Sequence, residues 1–156
     1  MQLTTVRMPV ESGQVFSRGF LLMGIEAAMD FDARGRGASD TQARDKETGE
    51  RVWVVSGIDM DLMYDPEDAQ QGGFFRRSAE VKVRVVSNTR PVPPPAQVPG
   101  FGPVVEFVGL TLTPYADTTR CVGPRDGRPH RCGARQAFSL RATGIRPFSG
   151  EVATGA

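Results

Sequence analysis

At 156 residues the chain can bury a core as one domain without staples, and its 18 glycines and 12 prolines suit short strands joined by turns, which argues against a helical bundle. Its longest apolar run, Phe20-Leu21-Leu22-Met23-Gly24-Ile25, falls far short of the about 20 residues that a membrane-spanning helix needs. The net charge of +1 conceals an asymmetry: Met1 to Gly73 carries seven Lys/Arg against thirteen Asp/Glu, and Phe74 to Ala156 carries twelve against five.

In chain order, Leu3 to Gly13 reads as an irregular or edge segment, because Pro9 cannot donate to a central ladder. Gly19 to Ile25 reads as a buried strand continuing toward Met29. Arg34-Gly35-Arg36-Gly37 is a loop without an apolar anchor. Gln42 to Asp45, the turn Lys46-Glu47-Thr48-Gly49-Glu50 and the run Arg51-Val52-Trp53-Val54-Val55 predict a hairpin. Asp59 to Gly73 predicts a loop, opening on a short helical turn at Pro66. Ala79 to Ser87 is the cleanest strand, with Val81, Val83 and Val85 on one face and Glu80, Lys82 and Arg84 on the other. Pro91-Val92-Pro93-Pro94-Pro95 should run as polyproline II to Pro99-Gly100. Val104 to Thr113 is a further strand, which Gly109 should bulge or bend. Ala116 to Gly133 reads as a long exposed basic loop. Arg135 to Ile145 closes the sheet, with Phe138, Leu140 and Ala142 facing in and Arg135, Ser139 and Arg141 facing out. These elements predict a mostly-β fold: a small single-domain barrel over residues 1–147, OB-fold-like with long loops, followed by a frayed tail over 148–156. A β-sandwich is the alternative.

The sequence offers little for catalysis. His130 is the only histidine, and it sits among arginines and turn residues with Asp126 as the one nearby carboxylate. A Cys–His dyad would need Cys121 or Cys132 on a strand-to-helix elbow, which the pattern does not provide. Cys121, His130 and Cys132 are three ligands of zinc type, but a fourth is missing and the spacing is not a strong zinc signature. The reading is therefore a non-enzymatic protein without cofactor or metal, its two cysteines reduced. No basic stretch leads into a hydrophobic block near Met1, so the expected location is the cytoplasm, with no membrane association.

Proteins that hold single strands pair a cationic groove with aromatic rings on which bases stack. Arginine supplies both a bidentate grip on phosphate and a planar face. The candidate nucleic-acid-binding residues are Arg51 and Trp53 on one strand face and the cluster Phe74-Phe75-Arg76-Arg77. Lys82 and Arg84 follow on the next strand, then Arg120, Arg128, Arg131 and Arg135 around the basic loop, and Arg141. Trp53, alone in a valine run, also reads as a core residue, and one of Phe74 and Phe75 should pack inward. Single-stranded DNA is the expected partner. A protein-interaction module without nucleic-acid binding is the competing reading.

Three stretches carry a family resemblance: Gln42 to Val55, Val105-Glu106-Phe107-Val108-Gly109-Leu110-Thr111-Leu112-Thr113-Pro114-Tyr115, and Phe138-Ser139-Leu140-Arg141-Ala142-Thr143-Gly144-Ile145. They resemble the plasmid replication, integration and excision activators (Pra-type proteins) of actinomycete integrative elements, in order over most of Gln14 to Pro147. The resemblance implies a cytoplasmic accessory protein that helps an integrated plasmid excise and replicate, with replication or recombination proteins as further partners. It leaves open whether the protein is a homodimer, and it transfers no functional residues. The Cys121–Cys132 loop looks like an insertion relative to shorter members. Activation by duplex-DNA binding is the alternative role, although no recognition helix is evident.

Overall fold

A computed structural model describes residues 6–30, 41–63, 80–123 and 127–152. Among them lie β1 (Met8–Pro9), α1 (Ser12–Val15), β2 (Phe20–Ala27), β3 (Val52–Asp59), α2 (Met60–Met63), β4 (Glu80–Val86), β5 (Val104–Val108), β6 (Thr111–Asp117), β7 (Arg135–Ala142) and β8 (Gly144–Pro147). None of the described helices is long and apolar enough to cross a membrane.

The strands form one sheet in the order β1-β6-β7-β4-β3-β2-β5-β8. β2, β3 and β4 make an antiparallel meander. β5 and β6 are two halves of one strand broken at Gly109, and β7 and β8 are two halves of another broken at Thr143. The halves pair as β5·β8 and β6·β7, and the Thr143 N–H donates to the Val108 carbonyl across the joint. Gly109 supplies the bend: its φ is +62°, and a Cβ there would lie 2.7 Å from Thr143 Oγ1. The bent ribbon reaches both edges of the meander. β5 pairs antiparallel with β2, and β7 pairs parallel with β4. The sheet thereby curls into a small OB-like barrel of five long strands, not a pair of stacked sheets.

Pro9 falls where a missing N–H does least harm, on an edge strand paired only with β6. Ser12 of α1 is buried, and its hydroxyl accepts a hydrogen bond from the Phe107 N–H at 2.9 Å, tying this short helix to β5. β2 carries an irregularity between Leu22 and Gly24, which lets Phe20, Leu22 and Ile25 all face inward despite their uneven spacing. Around them sit Phe16, Phe107, Val55, Val83, Val85, Val105, Leu110 and Ala142. A second cluster, Ala28, Val52 and Val86 with Ala43 and Val54, packs where the loop from β2 to β3 folds over the barrel wall.

Gly57 lies inside the barrel on β3, opposite Leu22. A Cβ there would overlap the Leu21 carbonyl oxygen and the Phe20 ring. Gly57→Ala is therefore expected to cost about 2–3 kcal/mol by overpacking and to lower Tm by about 4–10 °C. An unchanged melting curve would show that β2 and β3 can separate at this point without loss.

Five sequence expectations need correcting. α1 begins at the end of the segment read as irregular and runs two residues past it, to Val15. Asp59 to Met63 is strand end and helical turn, because α2 packs the fully buried Met60 under the barrel. β6 runs on through Pro114 to Asp117, so the segment read as a basic loop from Ala116 begins as strand; Pro114 is tolerated because this stretch of β6 has only β7 beside it. Phe138 shares its strand face with the buried Ala142 yet is 49% exposed, because that part of β7 extends beyond the barrel. The chain past Pro147 is tied down at its start: the Phe148 N–H donates to the Val104 carbonyl, and Ser149 Oγ donates to Glu106 at 3.0 Å. Arg34 to Gly37 and Asp65 to Gly73 lie outside the described residues.

Candidate nucleic-acid interface

An OB barrel presents its ligand face on the outer side of its second and third strands, between the loops that join strands one to two and four to five. Here these are β3 and β4, with the described parts of the connections at residues 28–30, 41–51, 118–123 and 127–134. The outward residues of β4 are Glu80, Lys82, Arg84 and Val86, which lie opposite Ile58, Ser56, Val54 and Val52 of β3. Lys82 and Arg84 are exposed, and no described carboxylate pairs with either.

Arg84 adjoins Arg141 across the parallel β4–β7 pairing, so the outer face continues onto β7. Through the β6–β7 register, with Tyr115 opposite Ala137 and Asp117 opposite Arg135, the same face reaches Tyr115 and Arg135. Tyr115 is 45% exposed. Beyond it the ribbon becomes an arm, on whose end Arg120, Arg128, Arg131 and Arg135 are all exposed. Lys82, Arg84 and Tyr115 share the outer face of the sheet by register, with the Asp45-bearing loop between them and Asp117 opposite Arg135, and the exposed arginines follow on the arm. Tyr115 was missed in the sequence because Pro114 marks the end of the apparent strand. Its signal was alternation with Thr111 and Thr113.

Three candidates are placed otherwise. Trp53 faces into the barrel, packs on the core, and donates its indole N–H to the Ser87 carbonyl at 2.9 Å, so it offers no free stacking face. Arg51 is exposed, but it stands before β3, bridged to Arg44 in the hairpin leg, away from Lys82. Arg141 is half-buried in an ion pair with Asp45, which arrives from the loop between β2 and β3. The Asp45 carboxylate also accepts the Thr48 N–H and hydroxyl at 3.0 Å each. The guanidinium of Arg141 and these Thr48 bonds hold the Asp45 carboxyl far below the usual range. Arg141 thus clamps the loop across the outer wall, and its charge is already matched. Phe74, Phe75, Arg76 and Arg77 lie outside the described residues.

At the end of the arm, Val122 and Arg131 exchange two backbone hydrogen bonds of 3.0 Å each. The Cys121 and Cys132 thiols are free, with Sγ atoms 3.8 Å apart. The Ala134 N–H, followed by His130 and Cys121, lowers the Cys132 thiol below its ordinary range.

No family model, curated protein or solved structure matches the chain. The OB-like description therefore stands on strand order and register.

Proposed function

We propose that this protein binds single-stranded DNA without acting on it chemically, as an accessory factor in the replication and excision of an integrative element. The observation that carries the reading is the register that sets Lys82 and Arg84 of β4 and Tyr115 of β6 on one sheet face, with the exposed arginines of the arm beyond them. Cations spaced along a strand and a loop suit a phosphate backbone, and a ring on the same face suits an unstacked base. Binding on an OB wall needs no recognition helix. The integrative-element context comes from the sequence resemblance alone.

Anisotropy of labelled single-stranded and duplex oligonucleotides at two salt concentrations tests this proposal. Single strands should bind more tightly, with affinity falling steeply as salt rises. Lys82→Glu combined with Arg84→Glu should weaken binding and reduce the salt slope by about 0.7 per lost contact. An unchanged slope would remove β4 from the site. No binding of either nucleic acid at micromolar protein and low salt would favour a protein-interaction module.

A further inference from the structure

We propose that Cys121, His130 and Cys132 form a binding site for zinc at the tip of the β6–β7 arm, independently of any nucleic-acid ligand. The register of the tip creates the site. Val122 and Arg131 pair directly, so Cys121 falls opposite Cys132, one step along the antiparallel ladder. His130 lies two residues from Cys132 and so shares its face. Three side chains that looked incidental in the sequence thus converge, with all their ligand atoms within 4.8 Å of one another.

The geometry and the donors suit zinc. A Zn–S bond of about 2.3 Å in a tetrahedral site puts two thiolate sulfurs about 3.8 Å apart. The observed separation is 3.8 Å. Two thiolates balance a divalent ion, so the loaded site adds no net charge beside the neighbouring arginines, and thiolate with imidazole favours zinc over calcium or magnesium. Three protein ligands leave the fourth position to water or another small donor. Cys132 and His130 are exposed, so an ion can enter from solvent. The arm also gives such a site structural use. A two-stranded hairpin with little apolar cover is marginally stable alone, and a metal joining residues 121 and 132 would close its tip.

The test uses the whole protein, reduced and desalted without oxygen, titrated with cobalt(II) as a spectroscopic probe and then with zinc. The expected result is one metal per chain, thiolate-to-cobalt charge-transfer absorption, and displacement of cobalt by zinc. His130→Ala and Cys132→Ser should each weaken binding by at least about 10–100-fold, the loss that even partners behind the ligands cause, with the circular dichroism of the barrel unchanged. Absence of stoichiometric binding by the unaltered reduced protein would overturn the proposal whatever the variants do. So would a His130→Ala protein that binds like the parent. A disulfide that forms in air, with no metal affinity after reduction, would assign the cysteines a redox role instead and overturn the metal site.

Discussion

Phe20→Ala is expected to destabilise the protein by about 3–5 kcal/mol, a large part of the 5–15 kcal/mol typical of a whole domain. Phe20 is fully buried and meets Phe16 and Phe107 edge-on, at ring-centroid distances of 5.2 and 5.0 Å, with Phe16 and Phe107 tilted and 5.7 Å apart. These rings join the turn after α1 to β2 and β5, where the bent ribbon meets the meander. Truncation removes apolar burial, leaves a cavity and breaks two aromatic contacts at this seam. Urea unfolding should show a lower midpoint at unchanged slope. Phe20→Leu should recover more than half of the loss. A loss of stability below about 1 kcal/mol would mean that the seam collapses around the missing ring.

Asp45→Asn is expected to cost about 2–3 kcal/mol and to lower Tm by about 5–10 °C at pH 7. Asp45 is buried, its carboxylate satisfied by Arg141 and Thr48. Asparagine keeps the shape but leaves the Arg141 charge uncompensated. The cost stays below that of a fully buried pair because Arg141 keeps some access to water. The pH dependence follows from the sign of the shift. The folded carboxyl titrates lower than the unfolded one, whose pKa is about 3.9. The pair's contribution is therefore complete above about pH 5 and declines as acid protonates Asp45. Stability measured from pH 6 down to pH 2 should fall less steeply in Asp45→Asn than in the parent. Parallel pH profiles would show that the clamp contributes nothing.

The clamp also bears on the interface. Asp45 and Arg141 are 96 residues apart, and their pairing lays the loop between β2 and β3 over the wall next to Arg84. Loss of the pair should therefore alter any ligand affinity of that wall as well as stability.

Much of the architecture was legible because its signals are local. The alternation of Val81, Val83 and Val85 with Glu80, Lys82 and Arg84 is a period-two pattern that only a half-buried strand satisfies. Gly109 marked the bend, the prolines from Pro91 excluded regular structure, and Pro9 marked an edge. From these the sequence by itself determined a mostly-β chain, the approximate strand positions and the outward placement of Lys82 and Arg84. Tertiary structure decided whatever depended on closure and long-range register. Alternation states which residues share a face but not whether another segment covers it. Trp53 therefore turned inward, and Phe138, on a core-patterned face, stayed exposed once its strand passed the barrel rim. Arg141 looked like a solvent-facing cation until a distant loop supplied Asp45. Cys121, His130 and Cys132 looked unrelated until the register of a hairpin set them on one side, since ligand convergence is a property of three-dimensional distance that linear spacing does not encode.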